Sequence, residues 1–282
     1  MFSLCKVRAM PIRIVSGTPG LAQMKASFKK NWTHYLREAL GLGIFMVSAC
    51  FFGALLSGNI GSLQFSIQNE VTRNVVTGIL MGSTALFIFY CSATAPSGSQ
   101  INPAVTISFL RLRKMCPWDA MFYIIFQFFG GTLAVFIMQW LMGDSLTAPP
   151  VNSAVTIPGK YGQWPAFIAE FIIAFITMAV VLFSSENKRV KKYTRIFAGC
   201  LVCTWVIVAG PISGFGMNPA RSFASALPAN IWTAFWIYLS VPFAGMLSAT
   251  ELFVFIQRKK PLETHNDEDQ HKRMISPYKF ES

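Results

Sequence analysis

Long uncharged, apolar segments alternate with short basic segments along this chain. No charged residue lies between Glu38 and Glu70, or between Arg73 and Arg111, and further apolar stretches follow. A helix of roughly 20 apolar residues crosses the hydrocarbon core of a bilayer, which is about 30 Å thick. The pattern therefore predicts an all-α membrane protein with six transmembrane helices, of which the last four lie at 120–143, 164–184, 196–210 and 231–256.

The composition supports this prediction. Apolar residues make up 53% of the 282 residues and charged residues only 13%, whereas soluble domains carry about 25% charged residues. The net charge is +12, but the excess basic residues lie between apolar blocks. We therefore expect the lipid bilayer, and not a nucleic acid, as the partner of this charge.

No pattern typical of an enzyme occurs. The six cysteines lie in apolar segments or basic flanks, and Cys200 and Cys203 have the spacing of half a zinc site without a second pair or a nearby histidine. There is also no glycine-rich phosphate loop and no histidine near a candidate nucleophile. We expect no catalytic residue, no metal and no cofactor.

The basic residues predict the topology, because short cytoplasmic loops of membrane proteins are enriched in Lys and Arg. Seven basic residues lie in the segment before the first span, and others follow the second, fourth and sixth spans. The loops at 57–70 and 143–163 contain a single basic residue, Lys160. Both termini are therefore expected in the cytoplasm, in a multi-pass protein that we assign to the plasma membrane.

Two terminal segments lie outside the predicted bundle. Residues 1–32 form a basic cytoplasmic arm, for which an organellar transit peptide is the alternative, because the segment contains Ser and has no acid before Glu38. A basic arm near anionic lipid is the favoured interpretation. Residues 258–282 form a cytoplasmic tail.

A short motif occurs twice. Ser-Gly precedes Asn102-Pro103-Ala104 and Asn218-Pro219-Ala220 at the same spacing, each time after the second apolar span of a set of three. Asn is a good N-cap, Pro favours the first helical position, and Gly permits a sharp turn beforehand. The motifs therefore predict two short helices, from Asn102 to about Leu112 and from Asn218 to about Leu227.

The duplicated motif indicates an inverted repeat of residues 33–142 and 164–257. Because each half has three spans, the halves enter the bilayer in opposite orientations, and the two short helices approach from opposite faces. Each would span about half a bilayer, so that their positive N-terminal ends meet at the midplane. The non-helical backbone before each must line a watery path, because hydrocarbon cannot satisfy its carbonyls.

Each predicted half also has one acid near its start, Glu38 and Glu170. A carboxylate in a membrane segment normally has a partner. For Glu38 the alternative is an interfacial carboxylate that pairs with Arg37, whereas Glu170 has no base nearby.

The duplicated Asn-Pro-Ala, the Arg221-Ser222 that follows the second copy, and the pair Glu38 and Glu170 strongly resemble the aquaporin (major intrinsic protein) family over residues 33–257. The resemblance implies a six-helix bundle with two re-entrant half-helices, one pore in each monomer and a homotetramer. It also implies that Glu38 and Glu170 support the loops. The implied function is a passive channel for water and small uncharged solutes such as glycerol, urea or ammonia, which excludes protons and ions.

By the same resemblance, four positions form the selectivity filter: Gly82, Val206, Phe215 and Arg221. This ring is wider and less polar than the aromatic and histidine ring of strict water channels. Some residues resemble solute facilitators and others resemble the water-selective branch. Gly82 is equally well explained by helix packing with Gly78, in which case a shift of one residue places Met81 or Ser83 in the ring.

Three alternatives stay open. The first is a glycerol, urea or ammonia facilitator with a wide filter, and the second is a junctional or structural family member that conducts poorly. The third is a coupled transporter, which also uses inverted repeats and broken helices. Coupling needs a titratable or cation-binding group near the midplane, where the half-helices offer only Arg221.

Overall fold

A computed structural model describes residues 20–57 and 67–259 of the chain. Most of the basic arm (residues 1–19), part of the first predicted non-cytoplasmic loop (58–66) and the tail (260–282) lie outside the described residues. Within these two described ranges the secondary structure is helical, with no strand.

Six helices correspond to the predicted spans. They are α1 (Leu21–Ser57), α2 (Glu70–Tyr90), α4 (Pro117–Met142), α6 (Gln163–Glu186), α7 (Thr194–Val208) and α10 (Phe235–Lys259). Five are long and apolar enough to cross a membrane. The exception is α7, which has 15 residues and continues after Ala209 into the short helix α8 (Gly210–Ser213). The all-α membrane fold is confirmed.

Two further helices follow the Asn-Pro-Ala motifs. They are α3 (Pro103–Arg111) and α9 (Pro219–Ala229). At about 1.5 Å per residue, neither is long enough to cross a bilayer. Helix α3 ends at Arg111, one residue before the predicted Leu112. Helix α9 continues two residues beyond Leu227 because Asn230 forms its C-cap with φ 53°. A short helix, α5 (Asp144–Thr147), completes the set.

Helix packing follows the repeat. The closest pairs are α1 with α4 in the first half and α6 with α10 in the second, while α2 and α7 pack against each other across the halves. Gly130 of α4 lies against the backbone of Ala39, and Gly245 of α10 lies against the carbonyl of Phe171. Ala39 and Phe171 directly follow Glu38 and Glu170, so the close helix approaches occur where the two buried acids lie.

The first helix begins well before the predicted start of the bundle at residue 33. Residues 21–32, which the sequence analysis placed in the basic arm, form the first turns of α1. They pack on the start of α4, where Asp119 Oδ1 accepts hydrogen bonds from Ser27 Oγ (2.5 Å), Asn31 Nδ2 (3.0 Å) and the Tyr35 hydroxyl (2.5 Å). The ring of Phe28 also contacts that of Phe122. These contacts join residues 21–32 to a segment far along the chain, so the charge pattern of the arm alone does not predict them.

Candidate functional site

Each Asn-Pro-Ala asparagine caps the short helix that follows it. Asn102 Oδ1 accepts the backbone N–H of Ala104 at 2.9 Å. Asn218 Oδ1 accepts those of Ala220 and Arg221, at 3.1 and 3.2 Å. The caps satisfy N–H groups that the first turn of a helix leaves free, and they fix the orientation of both side-chain amides.

The two asparagines also join the halves of the protein. Asn102 Nδ2 donates to the carbonyl of Met217 at 3.0 Å, and Asn218 Nδ2 donates to the carbonyl of Ile101 at 2.6 Å. Each bond links one motif to the residue directly before the other motif. The N-terminal ends of α3 and α9 are therefore in contact with each other inside the protein.

The backbone before each motif adopts an unusual conformation. Ser99 and Ile101 have φ angles of 47° and 42°, and Phe215 and Met217 have φ angles of 53° and 43°. This left-handed region costs a non-glycine residue on the order of 1 kcal/mol, so other contacts must hold it. In both loops, a left-handed residue comes directly before the asparagine.

A buried carboxylate holds each loop. The Glu38 side chain accepts hydrogen bonds from Ser97 Oγ (2.6 Å) and from the N–H groups of Gln100 (3.0 Å) and Ile101 (2.6 Å). Its side chain is fully buried. These three donors lie in the loop before α3, so the contacts that the structure gives Glu38 are those of a loop support.

Glu170 makes the corresponding contacts in the second half. Its carboxylate accepts hydrogen bonds from Ser213 Oγ at 2.6 Å and from the N–H groups of Gly216 and Met217 at 2.8 and 2.5 Å. It is also fully buried. Because charged acceptors strengthen hydrogen bonds, each carboxylate can balance the conformational cost of its loop.

Three supporting residues were missed by the sequence analysis. The hydroxyls of Tyr123 and Tyr238 donate to the carbonyls of Ser97 and Ser213, at 2.8 and 2.7 Å. Gln127 Nε2 donates to Glu38 Oε2 at 2.9 Å. The two tyrosines donate from α4 and α10 to the corresponding serine carbonyl of each loop, and a tyrosine after each motif is the sequence signal that a comparison of the two halves offers.

The loops leave polar groups available to a permeant molecule. An amide nitrogen has two hydrogens, and Asn102 and Asn218 each use one for a carbonyl of the opposite loop. None of the hydrogen bonds between described residues is accepted by the carbonyls of Ser99, Gln100, Gly214 or Phe215. These two loops therefore combine central donors with acceptors on both sides, which is an arrangement suited to a file of water molecules.

Arg221 adds a fixed positive charge beside the second motif. It lies in the first turn of α9, and its Nε and Nη1 atoms are buried without a hydrogen-bond partner among the described residues. Within those residues it also makes no ion pair. Its guanidinium lies near a helix end that is itself positive, and the Glu170 carboxylate attracts it at longer range, without a direct ion pair.

Two other predicted filter residues face the interior. Phe215 is buried in the loop before α9, and Val206 of α7 is half-buried and packs against the central apolar cluster. Val202 and Ala209 lie on the same face of α7 and are buried. Both positions are compatible with a ring that includes Arg221.

Gly82 lies where α2 and α7 cross. A Cβ atom on Gly82 would lie 2.7 Å from Cys203 Cβ and 3.1 Å from the carbonyl oxygen of Gly199. The neighbouring Met81 is buried in the central apolar cluster, whereas Ser83 is exposed on the side of Ile79 and Phe87. The contacts of Gly82 are those of helix packing, and Met81 is the residue of the three that faces the interior.

Comparisons with known proteins agree with this geometry. The model of the family described as "Major intrinsic protein" matches residues 25–253. Aquaporin NIP2-2 from Zea mays is 33% identical over 163 residues, which are 57% of this chain and 53% of the relative. The match thus spans about half the length of that protein. Putative aquaporin NIP4-1 from Arabidopsis thaliana is 31% identical over 218 residues, 72% of this chain and 75% of the relative.

A solved structure shares the fold. The X-ray structure of the aquaglyceroporin from Plasmodium falciparum superposes with a TM-score of 0.60 at 20% identity, covering 78% of this chain and 95% of that one. The family match and the apolar helices together make this protein an integral, multi-pass membrane protein. The chain belongs to the aquaporin, or major intrinsic protein, family.

Proposed function

We propose that this protein is a passive, non-enzymatic channel for water and for small uncharged solutes such as glycerol, urea or ammonia, and that it excludes protons and ions. The reciprocal hydrogen bonds of Asn102 and Asn218 carry this proposal. They bring two helix N-termini together at one point, and the loop carbonyls there that no described residue binds can be satisfied by water. Family membership supports a channel for water and small solutes.

Proton exclusion follows from the direction of the hydrogen bonds. The remaining N–H of each asparagine donates to the oxygen of a passing water, whose hydrogens then point away from the centre. A water held in this way cannot relay a proton through that point. The positive ends of α3 and α9 and the charge of Arg221 also raise the energy of a cation there.

The proposed filter consists of Val206, Phe215 and Arg221 with one residue from α2. Gly82 is the α2 residue implied by the family resemblance, and Met81 is the alternative, because its side chain packs in the central apolar cluster. Either ring is largely apolar, with Arg221 as its charged member. A wide apolar ring permits small neutral solutes, and the neighbour described as an aquaglyceroporin supports glycerol as one of them.

Osmotic swelling of proteoliposomes tests this function. We expect rapid water flux without ion dependence or saturation, and slower flux of glycerol and urea. A coupled transporter would show ion dependence and saturation, and a junctional protein would show almost no flux.

A matched pair of variants on α7 tests the filter. We expect Val206→Trp to suppress glycerol flux before water flux, because it narrows the ring. Val208→Trp is the control, since Val208 lies on the same helix with 55% of its surface exposed. Equal effects of the two substitutions would contradict the proposed ring.

The assembly and orientation are also proposals. We propose a homotetramer in the plasma membrane, in which each monomer has its own pore and both termini are cytoplasmic. The channel domain comprises residues 33–257, with repeats at 33–142 and 164–257, and residues 258–282 form the tail. The mass of the detergent-solubilised protein tests the tetramer, and the accessibility of terminal epitopes in intact cells tests the orientation.

A further inference from the structure

An open apolar groove of about 290 Å³ lies between α3 and α4. Its walls are formed mainly by Ile107, Leu110, Pro117, Met121, Ile124 and Ile125. The exposed residues Ile125, Phe129 and Leu133 follow one another along one face of α4. An apolar face of this kind on a spanning helix contacts the bilayer, so lipid chains can enter the groove from the side.

Basic residues lie at one end of this groove. Helix α3 ends at Arg111 and α4 begins at Pro117, so the loop between them crosses the end of the groove. Arg111, Arg113 and Lys114 are exposed there. Arg111 is paired with Glu251 at 2.6 Å.

A second basic loop lies beside the first. Lys114 Nζ is 3.1 Å from Glu186 Oε1 at the end of α6, and Lys188, Arg189, Lys191 and Lys192 follow within the α6–α7 loop. All four are exposed. The loop is ordered by Asn187, whose side chain accepts the N–H of Arg189 and whose carbonyl accepts that of Lys191, both at 2.9 Å.

The two loops together form what we term the basic patch. Its residues are Arg111, Arg113, Lys114, Lys188, Arg189, Lys191 and Lys192. Glu186 and Glu251 are the two carboxylates paired with it, so most of its positive charge is uncompensated by the described residues. Clusters of four to eight basic residues beside a membrane helix are typical of sites for anionic lipid headgroups.

We propose that this end of the bundle binds an anionic phospholipid, with an acyl chain in the α3–α4 groove and its phosphate on the basic patch. A soluble anion would bind the basic patch but leave the apolar groove empty, whereas a neutral lipid would fill the groove without neutralising the basic patch. One molecule with an anionic head and apolar chains uses both. The hydrogen bonds of Asn187 fix the backbone of the loop that carries four of these bases.

Lipid retention by the purified full-length protein tests this proposal. The protein is exchanged into detergent with equal amounts of dioleoylphosphatidylglycerol and dioleoylphosphatidylcholine, and bound lipids are counted by native mass spectrometry. We expect a clear preference for phosphatidylglycerol. Because each basic residue near an anionic surface contributes about fivefold to binding, Arg113→Gln should lower this preference by about that factor.

Variants with matched controls separate the two parts of the site. Lys160→Gln removes an exposed charge from a distant loop and should leave the preference unchanged. Replacing all four bases of the α6–α7 loop by Gln should lower it by more than about tenfold. Met121→Trp fills the groove and should reduce retention, whereas Phe129→Trp, outside the groove, should not. Thermal unfolding of each variant checks that it is folded.

Several results would overturn the proposal. They are an unchanged preference in the quadruple variant, an equal loss with Lys160→Gln, and equal retention in the two tryptophan variants. Displacement of the lipid by millimolar glycerol phosphate would also overturn it, because the site would then bind free anions.

Discussion

Asn102 and Asn218 lie in opposite halves of the chain, yet each donates a hydrogen bond to the backbone carbonyl of the residue directly before the other. The distances from Nδ2 to the carbonyl oxygens of Met217 and Ile101 are 3.0 and 2.6 Å. Each asparagine also caps its own short helix with the oxygen of the same amide. One side chain thus supports its helix, joins the halves and retains one N–H for a permeant molecule.

Replacing Asn218 by Asp should disrupt this junction. The variant keeps an oxygen that can cap α9, but it loses the donor to Ile101 and places a carboxylate beside that carbonyl. We expect a loss of about 3 kcal/mol of stability, because a buried charge lacks a partner, together with a fall in water permeability. Thermal unfolding in detergent and liposome swelling measure the two effects.

Asn69→Asp is the control for this substitution. Asn69 is the exposed N-cap residue of α2, and its side-chain oxygen accepts the N–H of Thr72. Aspartate keeps this acceptor at a helix N-terminus, so we expect stability to change by less than about 0.5 kcal/mol. Equal stability of the two variants would contradict the role assigned to the Asn218 amide.

Glu170→Gln should destabilise the second loop. Glu170 accepts three hydrogen bonds from the loop, and an amide turns one acceptor into a donor that faces N–H groups. We expect a loss of about 1–3 kcal/mol, because a buried N–H group of the loop loses its acceptor. Glu251→Gln removes an exposed ion pair with Arg111 and should cost at most about 1 kcal/mol. Similar melting temperatures for the two variants would show that Glu170 does not support the loop.

Gly82→Ala tests the packing of α2 against α7. The added Cβ would lie 2.7 Å from Cys203 Cβ, and overpacking of this kind typically costs about 1–3 kcal/mol. Gly53→Ala is the matched control, because its Cβ would lie 3.5 Å from Val151 Cγ1, an ordinary contact. A loss of thermal stability confined to Gly82→Ala is expected. An unchanged melting temperature with altered glycerol flux would instead place Gly82 in the filter.

Arg221→Val should weaken charge exclusion. The substitution removes the only charged residue of the proposed ring, so we expect proton permeability to rise by about an order of magnitude while water permeability changes little. A pH-sensitive dye inside the liposomes reports the leak under an applied pH gradient. If the variant and the parent have the same proton permeability, proton exclusion depends on the asparagine junction alone.

The parts of the fold that depend on local signals could be predicted from the sequence. Apolar length predicted the spans, and the Asn-Pro pair predicted the starts of α3 and α9, because a helix cap needs only the few residues beside it. The duplicated motif predicted two related halves. These signals require no knowledge of distant neighbours.

The remaining parts depend on contacts between distant segments. Gln127 lies far from Glu38 along the chain, and no local pattern indicates their hydrogen bond. The packing of residues 21–32 depends on Asp119 in the same way. The α2 filter residue depends on the rotation of α2 against α7, and an error of one position exchanges Gly82 for Met81.

Simultaneous water and proton fluxes in one liposome preparation test the central claim most directly. Light scattering records the response to an osmotic step, and an enclosed pH dye records proton entry under a pH gradient. We predict that the protein accelerates water flux well above that of empty liposomes while proton entry stays at the level of the lipid. Water flux equal to that of empty liposomes, or proton entry that rises together with water flux, would contradict the account.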